Sequence, residues 1–317
     1  MKKFIIQKND AGQRLDKFVL KAALGLSPSL MYKYIRKKAI KVNGKRAEIS
    51  YRLCERDVVE MYINDDFFSE KKNSFLDIGY DPKLDIIFED ENLMLIDKKP
   101  GVLVHEDAFE KRDTLINQVL LYLYKKGEYD PESETSFVPS LCNRLDKNTG
   151  GIVIVAKNAK SQRLLYDIVK HRKVVKKYLA LVHGIFNKKS DILTAFLTKR
   201  PSGNIVDVTD IETEGSRKII TKYNVLREGK ELSLLEIELV TGITHQIRAH
   251  MAHVGHPVVG DCKYGYSRDN KIMPFRHQAL YATSLEFVID DPENELYYLN
   301  GRIFSVKEVY FSKFLEK

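Results

Sequence analysis

The sequence predicts an α+β protein: a large domain on a mixed or antiparallel sheet, preceded by a small α/β module. Three observations carry this expectation. A chain of 317 residues has the length of about two domains. Its charge is unevenly spread: residues 1–63 hold 15 Lys/Arg against 6 Asp/Glu, a balance of +9, whereas the whole chain carries only +8. Beyond residue 84, helical and strand patterns intermingle without the repeated strand–helix–strand order of a parallel sheet. A basic module on a near-neutral body reads as an electrostatic handle for a polyanion; its plainer reading is a solvated basic face.

The elements follow in order. In "RLDKFVLKAAL", Leu15, Phe18, Val19 and Ala22 recur at helical spacing, with Lys17 and Lys21 on the opposite face. Ser27-Pro28-Ser29 supplies a capping serine and a proline in the first turn of a second helix. That helix, "LMYKYIRKK", carries Lys33, Arg36, Lys37 and Lys38. In "AIKVNGKRA", Asn43-Gly44 is a hairpin signal followed by Lys45 and Arg46. Residues 64–83 mix charges without a period and are expected to be a linker. From 84 the pattern gives a hairpin around residues 89–92, a tight turn at Pro100-Gly101, and an amphipathic helix over 114–125. Then come a buried strand in "GIVIVAK", a helix in "SQRLLYDIVKHR", a strand in "KKYLALVHG" opened by Tyr178, and a long hairpin around residues 228–230.

Composition excludes several classes. No run approaches the ~18 apolar residues of a membrane helix. The opening "MKKFIIQKND" has an apolar stretch too short for a secretory signal. Cys54, Cys142 and Cys262 lie far apart without Cys-x-x-Cys spacing, so reduced thiols and a cytoplasmic location are expected. His245, His250, His253 and His256 invite a zinc reading, but Gly255 interrupts the helix and neither His-Glu-x-x-His nor a cysteine pair is present. No metal is expected.

The loop "NRLDKNTGG" sets Asp146 between Arg144 and Lys147, and the paired glycines turn the chain sharply into the next strand. Nearby cations favour the ionised carboxylate, which suits a nucleophile or the electrostatic partner of a cationic transition state. An aspartate that merely caps its own turn would look the same.

Two resemblances resolve that ambiguity. Residues 12–63, through Arg14-Leu15-Asp16-Lys17, the serine-led second helix, Val42-Asn43-Gly44-Lys45 and Arg56-Asp57-Val58-Val59, resemble the S-four-type RNA-binding domain. Further along, Lys99-Pro100-Gly101, Arg144 to Gly151, Lys177-Tyr178-Leu179-Ala180-Leu181-Val182 and "LVTGITHQIRAHMAHVGHPVVGDCKYG" occur in the order found in the RluA-type family of RNA pseudouridine synthases. The resemblance implies a mixed/antiparallel β-sheet catalytic domain of the pseudouridine synthase type over 84–317, preceded by the RNA-binding domain over 1–63. It implies isomerisation of uridines, leaning to 23S ribosomal RNA with transfer RNA open, by a monomer that uses no cofactor. Asp146 falls on the catalytic aspartate, Tyr178 on the tyrosine that stacks on the target uracil, Arg248 on the arginine paired with the aspartate, and Arg144 on an arginine that pushes into the RNA. Lys177, His245 and Gln246, beside these motifs, are expected on the RNA together with Lys33, Arg36, Lys37, Lys38, Lys45 and Arg46. The chain departs from the family at Asn143 for histidine, Ile243 for arginine and Tyr281 for histidine. Two rivals remain: a glycosidase, which would need a second carboxylate acting as acid, and an RNA-binding assembly factor that has lost activity.

Overall fold

The computed structural model describes residues 1–68, 74–200, 205–266 and 273–316; residues 69–73 of the expected linker lie outside them. The chain begins with β1 (Lys2–Ile5), α1 (Leu15–Ala22), α2 (Pro28–Arg36), β2 (Ile40–Val42) and β3 (Val58–Met61), whose strands form a three-stranded antiparallel sheet in the order β1-β3-β2. The apolar stripes of the two helices close over this sheet, burying Leu15, Phe18, Val19, Met31 and Ile35 with Ile40, Val42 and Val59. The Ser27 hydroxyl accepts from the Leu30 N–H at 3.4 Å, so the helix start read from the sequence is built as a cap. Asn43 and Gly44 both take the left-handed conformation that a two-residue turn demands. The turn closes only a Val42–Lys45 bridge, because β2 takes β3 as its ladder partner.

The stretch expected to be a linker is packed at both described ends. Phe67 lies against Tyr34 and its carbonyl accepts from the Gly25 N–H at 3.0 Å, while Phe75 is buried beside Tyr124 and Tyr129. Phe67 and Phe75 thus give each module an anchor.

The larger sheet uses β4 (Ile86–Glu89), β5 (Leu93–Lys98), β6 (Ser140–Leu141), β7 (Gly150–Ala156), β8 (Val174–His183), β9 (Ser190–Lys199), β10 (Val206–Thr209), β11 (Arg217–Glu228), β12 (Leu232–Leu239), β13 (Leu280–Phe287) and β14 (Ile303–Ser305). Its main path runs β10-β9-β11-β12-β8-β13-β7-β5-β4, with β14 on β13 and β6 on β7. The pairs are antiparallel except β13 with β7, so the sheet is mixed, as expected. Among the described residues the α-helices α3 (Leu115–Lys125), α4 (Ala159–Lys170) and α5 (Gln246–His253) accompany it.

Alternation sets the layers. Met94, Ile96, Val153 and Val155 meet Leu115, Val119 and Leu123 of α3 on one face, while Leu93, Leu95, Ile152 and Ile154 meet Leu165 and Ile168 of α4 on the other. Both faces of β7 are covered, which explains its uninterrupted apolar run.

One strand assembles distant parts of the chain. β13 pairs Tyr281 with Gly150, Ala282 with Gly151, and Ala282 with Tyr178 on its other side. The mouth of β7 and the middle of β8 are thereby held one strand apart. Gly151 takes φ +119°, and a Cβ there would lie 2.2 Å from the Ala282 carbonyl oxygen. Only glycine permits that approach.

Candidate active site

The loop before β7 opens on a cavity of about 1040 Å³ lined by Arg144, Asp146, Tyr178, His245 and Arg248 among others. The loop is fastened from behind. Asn143, where the family has histidine, donates to the Ile152 carbonyl at 3.1 Å and accepts from the Ile154 N–H at 2.7 Å, substituting for a strand partner. Asp146 accepts through its carbonyl from the Thr149 N–H, and Gln278 donates to the Thr149 hydroxyl at 2.7 Å. The Lys147 carbonyl accepts from the Gly101 N–H at 2.9 Å and from the Lys98 amine at 3.0 Å.

Lys98 is buried, and its amine also reaches the carbonyls of Lys99 and Val102, each at 3.0 Å. Burial pushes it down to about 7, against the pull of Asp146 and Asp97. Three carbonyl acceptors suit the three donors of an ammonium.

Arg248 is the hinge of the site. Its Nε and Nη2 donate to both oxygens of Asp261 at 2.6 and 2.8 Å, which leaves Nη1 to donate to Asp146 Oδ2 at 2.7 Å. Asp261 is itself held by the Lys263 and Tyr264 N–H groups. Burial alone would raise the Asp261 carboxyl, but the Arg248 hydrogen bonds and charge hold it below the usual range. The same two carboxylates hold the Arg248 guanidinium above its ordinary value despite burial. The fork is preorganised by a carboxylate that does not face the cavity, and the Asp146 side chain remains 23% exposed.

Tyr178 faces the cavity beside Asp146. Burial first, and the Asp146 charge second, push its phenol well above the ordinary range, so it remains a neutral hydroxyl. It is the fifth residue of β8 and does not open the strand as expected; β8 begins at Val174, inside the basic run.

The structure redistributes the expected RNA-facing residues. Arg144 is exposed at the cavity mouth. Lys33, Arg36, Lys37, Lys38, Lys45 and Arg46 are all exposed on the N-terminal module. Lys177 is corrected: it points away from the cavity and pairs with Glu236 at 3.1 Å, because strand alternation gives the Tyr178 face to Lys176. Gln246 is also corrected. Its side chain is buried, donating to the Ile220 carbonyl and Thr221 hydroxyl and accepting from the Thr241 hydroxyl and Ile243 N–H. It holds the 241–246 turn against β11. His245 is buried as well, in the left-handed conformation, with Nδ1 3.0 Å from the Tyr264 hydroxyl and Nε2 3.7 Å from Asp146.

The other histidines diverge: His250 meets Thr221, His253 meets Asp210, and His256 meets the His183 carbonyl. Tyr281, at the third departure, donates to Asp97 at 2.6 Å behind the sheet strands. Sequence reasoning missed Asp261, Lys176 and Lys98. Asp261 falls inside the quoted C-terminal motif, and an alternation count back from Tyr178 finds Lys176. No local signal marks Lys98, whose role depends on three carbonyls.

A profile described as RNA pseudouridylate synthase matches residues 92–253, and an S4 domain profile matches residues 13–59. The chain is 33% identical to an uncharacterized RNA pseudouridine synthase of Mycoplasma genitalium, over 90% of this chain and 88% of the relative. It is 30% identical to ribosomal large subunit pseudouridine synthase D of Buchnera aphidicola, over 88% and 87%. Human RNA pseudouridylate synthase domain containing 4 shares the fold with a TM-score of 0.56 at 21% identity, over 71% of this chain and 89% of that one.

Proposed function

Since this chain belongs to the RNA pseudouridylate synthase family, we propose that it isomerises uridines of large-subunit ribosomal RNA with Asp146 as nucleophile. The single observation that carries the assignment of the site is the Asp261–Arg248–Asp146 chain opening on the cavity that Tyr178 lines. The reaction breaks the bond between uracil N1 and the ribose, turns the base, and rejoins it through carbon 5, which gives up its proton while N1 takes one up. Substrate and product have the same atoms, so stoichiometry requires no redox group, nucleotide or metal.

The residues divide the work. Asp146 supplies a carboxylate to the electron-poor centre formed as the glycosidic bond breaks, the part a carboxylate plays in glycosidases. Arg248 orients that carboxylate, and Asp261 orients Arg248. Tyr178 provides a face for the flipped uracil. Arg144, Lys147, Lys170, Arg172, Lys176 and Lys263 around the cavity suit a phosphate backbone. Lys33, Arg36, Lys37, Lys38, Lys45 and Arg46 extend that surface on the N-terminal module, and His245 positions the turn that carries Arg248.

The large-subunit assignment draws on relatives named for it. The protein is read as a cytoplasmic monomer; none of its described helices is long and apolar enough to cross a membrane. Asp146→Asn tests the proposal. The variant should bind RNA with near-normal affinity and form no pseudouridine at the sites that the unaltered protein modifies in RNA from cells lacking it. Normal turnover would sink the nucleophile, and unchanged pseudouridine maps of large-subunit RNA would sink the target.

A further inference from the structure

Phe109 is the most exposed large apolar side chain among the described residues, at 97%, with Ile211 next at 76%. It does not sit on a loose tip. The Asp107 carboxylate accepts from the N–H groups of Phe109 and Glu110, both at 2.8 Å, and the Asp107 N–H donates to the Glu110 carbonyl at 3.0 Å. Glu110 repeats the device, accepting from the N–H groups of Arg112 and Asp113 at 2.9 Å each. Asn117 of α3 donates to the carbonyls of Lys111 and Arg112 and to the Glu106 carboxylate. The loop is therefore stitched at both ends and holds one bare ring outward.

Its root belongs to the active site, since His105, Glu106 and Asp107 line the cavity that holds Asp146. Lys111 and Arg112, two and three residues further along the chain, are exposed. A ring that buries nothing of its own protein forgoes apolar burial that folding normally exploits. Carried on a loop whose root lines a cavity that takes an extruded base, it matches the aromatic platforms on which unstacked bases settle.

Resting on the function proposed above, we infer that Phe109 is an RNA-stacking residue: its ring receives the nucleobase adjoining the flipped uridine and holds the flanking strand at the cavity mouth. Extrusion deprives that neighbour of one stacking face, and the ring replaces it.

The chain has no tryptophan, so F109W gives a single-indole reporter at this position. With RNA purified from cells lacking the protein, the indole should become quenched and shielded from acrylamide by about twofold or more, as stacking on a base requires. F109A, which removes no contact within the protein, should lower kcat/KM about tenfold, chiefly through KM, while F109Y stays within about twofold of the unaltered enzyme. An indole equally accessible to acrylamide with and without saturating RNA overturns the inference, as does unchanged kcat/KM in F109A. Failure of the function proposed above reads differently: the unaltered protein would form no pseudouridine, while the indole signal, which needs only binding, would still report the stack.

Discussion

Among the described residues Asp146 has one charged hydrogen-bond partner, Arg248, and that partner is shared with Asp261. Removing the Asp261 charge frees the guanidinium to turn and leaves it under-compensated in a buried place. Asp261→Asn should therefore cost about 3 kcal/mol of stability, measured by chemical denaturation. Its turnover should fall even at saturating RNA, because Arg248 would no longer aim Nη1 at Asp146. His250 gives a second residue-scale prediction. Burial lowers its imidazole from 6.5 to about 4, so the folded state holds it neutral against Thr221. Above pH 6.5 both folded and unfolded chains carry it neutral and it contributes no pH dependence. Between pH 6.5 and about 4 the unfolded chain takes up the proton first, so stability drops as pH falls, by up to about 3 kcal/mol for this group. His250→Gln should remove that part of the slope in urea titrations at pH 7, 5.5 and 4.5; an unchanged slope would show that the imidazole does not carry it.

At the scale of elements, β8 shows how alternation decides function. Lys176 and Tyr178 share the cavity face, whereas Lys177 shares the opposite face with Glu236. Lys176→Ala is expected to weaken RNA binding or capture about tenfold, and Lys177→Ala less than about twofold, because an exposed ion pair contributes little. Filter binding and single-turnover assays on the two variants would separate them; equal losses would mean that RNA crosses both faces. The junction of β7 with β13 is the other sensitive element. Gly151→Ala places a methyl group against the Ala282 carbonyl at a backbone conformation that alanine rarely takes. That variant should lose the β7–β13 pairing and accumulate as insoluble protein.

The whole molecule joins two modules through a polar seam. Asp10 is fully buried and accepts from both the N–H and the hydroxyl of Ser136, at 3.1 and 2.5 Å. Asn9 donates to Glu134 and accepts from the Ala159 N–H, and Arg163 donates to the Ala11 carbonyl. Such a seam gives the basic module a set distance from the cavity, so both ends can engage one RNA. Deleting residues 1–63 should weaken RNA binding and flatten its salt dependence, because that segment holds the chain's excess of cations. An unchanged salt slope in the truncated protein would place the handle elsewhere. Asp10→Ala removes the acceptor of both Ser136 donors at the seam, leaving the Ser136 hydroxyl, among the described residues, only its bond from Gln13, and limited proteolysis should then release the N-terminal module faster.

Much of this was legible in the chain before any coordinates. The apolar spacing of α1 and α3, the serine cap of α2 and the continuous apolar run of β7 are written locally, because helical and strand periods depend on near neighbours in sequence; Asp146, Tyr178 and Arg248 stood out only through the resemblance of their motifs to a family. What the sequence determined by itself was thus the class of fold and the position of the charge. Tertiary structure alone decided which side chains meet. The pairing of β13 with both β7 and β8, the reach of Arg248 to Asp146, the bond from Lys98 to the Lys147 carbonyl and the seating of Gln246 against β11 all join residues far apart in the chain. Such meetings are set by strand register and close packing, and neither has a local signature.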